Sequence, residues 1–248
     1  MDEFVEYSPA LAIRSMIDRV VDRQDAEIAI ESCYPKYSSH YACNVALVLA
    51  RKLEIEPLAL GQRLCPDLSA DPRFIVSVAA NGWLNFRLSD AFLAECLYGL
   101  EKSPVVDRTV IKPLETQQNF SGYTYVQYAY TRCHALLRMA TKSGLIGDWQ
   151  LLDCEGKLLL RSTAELGLAV QCLLIGDEIA LCSREGLRDQ LEIKLCRDLA
   201  TSFLEFYDRC RIFGVNQEVS IARIGLISIG QKLIQFLATE YIDLPKTL

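Results

Sequence analysis

The sequence predicts a small α+β domain followed by a mainly α-helical domain, a helical bundle. Three observations carry that prediction. Two alternating apolar runs flank Asn81-Gly82, and a complete helical apolar face begins at Val126. Between them, residues 101–119 contain Pro104 and Pro113 and show no sustained apolar period. The domains are therefore set at 1–100 and 120–248, with 101–119 as linker.

Ser8-Pro9 is an N-cap followed by proline at the first helical position, and opens a helix toward Val21. Residues 41–54 place Val45, Leu49 and Leu53 on one helical face, and Glu56-Pro57 starts another helix through Leu58, Gly61 and Leu64. Phe74, Val76 and Val78 then alternate on one face of a strand, as do Leu84, Phe86 and Leu88 on the next. Asn-Gly between two period-2 runs is the strongest short hairpin signal. Ser89 caps a helix through Phe92, Cys96 and Leu100.

In the second domain Val126, Ala129, Tyr130, Cys133, Leu136, Leu137 and Ala140 form one helical stripe. Further helices are predicted over 163–182, over 187–213 along Leu191, Leu195, Leu199, Phe203, Phe206 and Cys210, and over 218–240 along Ala222, Leu226, Ile229, Leu233 and Phe236. Asp148–Arg161 predicts a short hairpin around Glu155-Gly156.

Composition excludes several function classes. The 248 residues are 51% hydrophobic and 23% charged, which excludes a fibrous, low-complexity or wholly disordered chain. The net charge is −6, so a strongly basic nucleic-acid binder is not the default; residues 1–100 hold 9 basic and 14 acidic side chains. Ten cysteines show no CxxC spacing and only His40 and His134 accompany them, so no zinc site is written and no metal or cofactor is expected. The cysteines read as small buried hydrophobes in a reducing cytosol. The N-terminus lacks a basic and an apolar signal region, and the apolar windows at 164–182 and 219–238 are interrupted by polar residues. The expectation is a soluble cytoplasmic protein without membrane contact. GxGxxG, GxxxxGK(S/T) and GxSxG are all missing, and carboxylate pairs such as Asp177/Glu178 read as solvated charge. No enzyme is nominated.

Two stretches carry a resemblance. Tyr125–Ala140, Phe206-Tyr-Asp-Arg-Cys-Arg-Ile212 and Ile221–Leu226 resemble the DALR anticodon-binding helical domain of arginyl-tRNA synthetases. Tyr41–Leu53, Asn81-Gly-Trp-Leu-Asn85 and Leu88-Ser-Asp90 resemble the N-terminal additional domain of the same enzymes, which grips the tRNA elbow. In the synthetases a Rossmann-type catalytic domain with HIGH- and KMSKS-type signatures lies between these regions; here only 101–119 does, and neither signature occurs. The resemblance thus implies a synthetase-like protein with both tRNA-contacting ends and no catalytic core. Asn81-Gly-Trp-Leu-Asn85 departs from the usual Pro-Gly-Phe-Ile-Asn but keeps Asn85, and the chain finishes Lys246-Thr-Leu248 instead of Arg-Met.

On a helical wheel Tyr125, Tyr128 and Arg132 fall on one flank of the first C-terminal apolar face, and Gln127, Thr131, His134 and Arg138 on the other. Aromatics beside arginine suit a splayed anticodon loop, with rings to stack bases and guanidinium for phosphates. The alternative is that Tyr125 and Tyr128 line a helix–helix interface with wet hydroxyls. Tyr207 matches the tyrosine of the family's Phe-Tyr-Asn motif and has the same two readings. Arg209, Arg211 and Arg223 are either phosphate contacts or ordinary surface charges. Two functions follow: a non-catalytic tRNA-binding protein of modest affinity, or an adaptor that kept the scaffold and binds another protein instead.

Overall fold

A computed structural model describes residues 5–21, 28–35, 38–103, 123–145, 149–182, 189–239 and 241–245. Most of the expected linker, 104–119, and the Lys246–Leu248 end lie outside these. The chain forms two compact units, Ser8–Glu95 and Cys96–Leu248 with Met1–Tyr7.

The first unit has the order α1 (Pro9–Val20), β1 (Ile30–Ser32), β2 (Tyr41–Cys43), α2 (Val45–Leu53), α3 (Pro57–Leu68), β3 (Phe74–Val78) and β4 (Leu84–Leu88). It ends in the first half of α4 (Asp90–Lys102). The Ser8 hydroxyl accepts from the Leu11 N–H at 3.2 Å, so the predicted cap is made. All strand pairings are antiparallel, in the order β1-β2-β4-β3.

Register sorts the side chains. Tyr41 faces Phe86, which faces Val76, and Cys43 faces Leu84, which faces Val78. Tyr41, Cys43, Leu84 and Phe86 are fully buried. Phe74 packs edge-on to Phe86 and Phe92, at 6.0 and 5.3 Å between ring centroids. Residues one step along, Glu31, Ala42, Asn85 and Ser77, form the row on the opposite face.

The hairpin forms with a longer loop than Asn-Gly alone requires. The Ala79 N–H donates to Trp83 O and the Gly82 N–H to Ala79 O, both at 2.8 Å, enclosing Ala80, Asn81 and Gly82. Gly82 closes this three-residue loop with a φ of +87°, and a Cβ there would collide with Pro57. Residues 41–43, expected to begin a helix, are strand instead. A three-residue strand is too short to display a period of two, so β1 and β2 leave no pattern in the sequence.

The second unit packs α5 (Tyr123–Lys142), α6 (Thr163–Leu181), α7 (Asp189–Arg209) and α8 (Gln217–Ala238). α5 lies against α7 and α8, and α6 against α7 and α8. Six of the seven predicted α5 stripe residues are buried, Leu137 being half-buried, and the whole predicted α8 stripe is buried. α6 differs, being apolar nearly all round and buried on most sides. That overturns the solvated reading of Asp177/Glu178: Asp177 is buried, and burial raises the pKa of Glu178. The predicted 148–161 hairpin reduces to a single bridge, Leu152 to Leu158, across a tight turn. Helix α8 is long and apolar enough by composition to cross a membrane, but 67% of that apolar window is buried inside the protein.

None of the ten cysteines is joined in a disulfide. Burial pushes the thiols of Cys133 and Cys172 far up and that of Cys196 up to about 12, so these three are unreactive packing groups.

Candidate nucleic-acid interface

α5 carries Tyr128 and Arg132 one turn apart, so their side chains meet on one face. The Arg132 Nε donates to the Tyr128 hydroxyl at 3.0 Å. Its guanidinium carbon lies 5.2 Å from the centre of the Tyr128 ring and 5.7 Å from that of Tyr207 on α7. The ring of Tyr207 is in turn nearly parallel to that of Phe203, at 17° and 6.3 Å, and Phe203 is fully buried. The core thus holds one tyrosine from below while the arginine bridges it to the other. Both tyrosines and Arg132 are half-buried, and Tyr125, one turn earlier, is 42% exposed. The result is an aromatic shelf with a cation on it, able to stack planar bases and pair with phosphate.

The opposite flank of α5 is closed by the chain itself. Gln127 Nε2 donates to Asp243 O at 2.7 Å, and the Thr131 hydroxyl lies within hydrogen-bond reach of Gln127 O and Pro245 O. His134 Nε2 is 2.7 Å from Gln231 Nε2, and its ring packs edge-on to Tyr130 at 4.7 Å. Tyr241 donates to the buried carboxylate of Glu192, pinning the start of the C-terminal segment to α7. Gln127 and His134 therefore satisfy internal partners, which the wheel alone does not reveal. Arg138 is exposed on α5.

Arg223 has a different environment from both readings of the sequence. It is neither a phosphate-facing nor an ordinary surface charge, because its side chain is 14% exposed and its Nε lies 2.6 Å from Glu165 Oε1, a carboxylate 2% exposed. Its Nη1 donates to Arg211 O. Glu165 is also the third residue of α6 and completes a capping box: its carboxylate accepts from the Ser162 N–H at 2.6 Å while Ser162 Oγ accepts from the Glu165 N–H. Burial pulls the Glu165 pKa up, but the hydrogen bonds from Ser162 and Arg223 outweigh it and hold the carboxyl below its ordinary value. The Ser-x-x-Glu spacing before an apolar run is the sequence signal for this knot.

Of the remaining candidates, Arg209 makes an exposed ion pair with Glu205 at 3.3 Å, a contact of little energetic weight. The Arg211 side chain is exposed. Asn85, in the other unit, lines a cavity of about 510 Å³ on the face of the sheet that carries Glu31 and Ala42. Its neighbours there, Tyr34 and Trp83, were not singled out by any sequence pattern beyond the Asn-Gly-Trp-Leu-Asn run itself. The structure thus brings together Tyr128, Arg132 and Tyr207, and ties Gln127, His134 and Arg223 to separate internal partners. Among the described residues no three His, Cys, Asp or Glu side chains gather as a metal site would require.

Residues 10–88 match the arginyl tRNA synthetase N-terminal domain, and residues 126–239 match the DALR anticodon binding domain. The chain is arginyl-tRNA synthetase-like at both ends. The arginine–tRNA ligase of Synechococcus sp. (strain JA-3-3Ab) is 26% identical over 174 residues, which cover 68% of this chain and 27% of that protein. The ligase of Cellvibrio japonicus is 31% identical over 48% of this chain and 20% of its own length. That of Aquifex aeolicus is 34% identical over 38% of this chain and 16% of its own. The chain thus spans about a quarter or less of these relatives. Only residues 89–125 separate its two synthetase-like regions.

Proposed function

We propose that this chain binds tRNA through its anticodon-binding-type domain and does not aminoacylate it. The observation that carries the reading is the shelf of Tyr128, Arg132 and Tyr207, formed by two helices of the region that matches an anticodon binding domain. Arg138, Arg209 and Arg211 supply further cations on exposed positions. Asn85 belongs to the elbow-gripping reading of the N-terminal unit, but the cavity it lines has no basic side chain among its described residues, so the RNA contact is placed on the shelf. The short stretch between the two synthetase-like regions leaves no room there for a catalytic core. Ten cysteines without a disulfide suit the reducing cytoplasm, where we place the protein.

The test is filter binding with total tRNA at two salt concentrations, alongside ATP–pyrophosphate exchange with arginine. With about four phosphate contacts, log K falls against log salt with a slope of roughly −3 to −4. No exchange is expected. Absence of binding at about 50 mM salt, where phosphate contacts are strong, refutes the tRNA reading.

The adaptor reading is favoured by one observation. Leu53, Ile55 and Leu58, at the junction of α2 and α3, are 59%, 36% and 37% exposed, an apolar concentration over six residues. If tRNA binding fails, this junction is where a protein partner is sought.

A further inference from the structure

The cavity on the N-terminal sheet has a chemistry unlike the shelf. Its floor is the row Glu31–Ala42–Asn85 across β1, β2 and β4, where the small Ala42 leaves space between the two polar residues. Tyr34 and the hairpin residues Asn81 and Trp83 complete it. Both rings are half-buried, so ring surface faces the space while the rest is anchored. Among the described lining residues the carboxylate of Glu31 is the single charge. Arg87, the next outward residue of β4, pairs with Ile75 and does not line the cavity.

A phosphate-bearing ligand needs cations that these residues do not offer. A planar cation meets everything present. Guanidinium has five N–H donors and no acceptor, so it matches a carboxylate and amide oxygens, and it stacks on tryptophan and tyrosine rings. The acidic excess of residues 1–100, a net of −5, draws such a group in from a distance. At about 510 Å³ the cavity exceeds one guanidinium and accommodates neighbouring chain atoms as well. We propose that it holds an arginine side chain presented by an extended basic segment of a partner protein. This inference stands independently of tRNA binding at the shelf.

The experiment follows the indole N–H signal of Trp83 by NMR in the full chain, titrated with an acetylated, amidated Gly-Arg-Gly-Arg-Gly peptide. A second titration replaces both arginines by citrulline, which keeps the shape and removes the charge, and a third uses tRNA. The expected result is a saturable shift with the arginine peptide that weakens at least tenfold with citrulline. Glu31→Gln, at an exposed position whose loss leaves the melting temperature unchanged, weakens it equally. Trp83→Leu, which lacks the reporter and is followed by titration calorimetry with the same peptide, abolishes binding. Equal affinity for the citrulline peptide, no effect of Glu31→Gln, or a Trp83 signal moved by tRNA and not by peptide overturns the proposal; the last outcome makes the cavity an RNA site.

Discussion

Arg132 and Arg223 lie in the same helical unit and meet opposite surroundings. Arg223 is enclosed: Glu165 neutralises it, Arg211 O accepts from it, and the carboxylate that binds it also caps α6. Removing either partner leaves a buried charge without its counter-charge. Arg132 rests on two tyrosine rings and, among the described residues, donates to the neutral Tyr128 hydroxyl, so its charge is not cancelled by a carboxylate there. The comparison separates an arginine that holds the helices together from one presented outward. Sequence pattern treats them alike, since both are single arginines beside an apolar helical stripe.

The largest effect expected from breaking this contrast is at the buried pair. Glu165→Ala should destabilise the protein by about 3–5 kcal/mol, because the charge of Arg223 is stranded and the α6 cap is lost. Thermal and urea unfolding measure it. The double variant Glu165→Gln/Arg223→Met removes both charges and keeps an oxygen for the cap, so it should recover most of the loss. A double variant as unstable as Glu165→Ala would mean that the loss comes from the missing ion pair itself and not from a stranded charge.

The N-terminal unit offers a second group committed to the fold. His40 is buried, and its Nδ1 accepts from the Leu88 N–H at 3.1 Å, which requires the neutral ring. Burial, with the nearby Arg87 adding to it, lowers its pKa from 6.5 to about 4. An unfolded chain takes up the proton near pH 6.5 while the folded chain resists until about pH 4, so stability falls with pH across that window and by about 3 kcal/mol in all. Glu165 adds a further loss at lower pH, since its depressed pKa stabilises the fold only above the ordinary carboxylate range. Urea titrations between pH 7 and 4 test this, and His40→Asn, which keeps an acceptor without the titration, should flatten the curve.

The shelf should respond in binding and not in stability. Tyr128→Ala or Tyr207→Ala should each cost roughly 1–3 kcal/mol of tRNA affinity if bases stack there. Tyr207→Phe keeps the ring and should change little. Tyr128→Phe also removes the acceptor for Arg132 Nε, so it should cost more than Tyr207→Phe, a difference that only the observed geometry predicts. Should the Ala variants melt several degrees lower yet bind as tightly as the parent, the tyrosines are packing residues.

The legible part of this molecule was whatever repeats along the chain. The α5 and α8 stripes, the Ser8-Pro9 cap and the hairpin alternation over 74–88 each involve several residues obeying one period or one cap rule, and each forms. Local pattern fails where partners come from far away. β1 and β2 are three residues long and exist through pairing with β4. Tyr207 meets Arg132 across 75 positions and Arg223 meets Glu165 across 58, so no window along the sequence contains either pair. Family resemblance supplied Tyr128 and Tyr207 as companions; only packing explains which flank of α5 remains available to them.

The smallest effect concerns that other flank. Gln127 sits one residue before Tyr128, and both were candidates for RNA contact on residue type alone. Its amide nitrogen, however, is engaged at 2.7 Å by Asp243 O, and Thr131, one turn on, reaches Pro245 O. Both hold the C-terminal segment against α5. Gln127→Ala should therefore loosen that segment, with a cost of about 0.5–1.5 kcal/mol for one partly exposed hydrogen bond, and leave tRNA affinity within error. Hydrogen exchange of the 241–245 amides reads the first effect and filter binding the second. The outcome that would break the comparison is the reverse: a tRNA defect as large as that of Tyr128→Ala with unchanged exchange at 241–245. In that case the C-terminal segment gives way when RNA binds, and both flanks of α5 serve the same ligand.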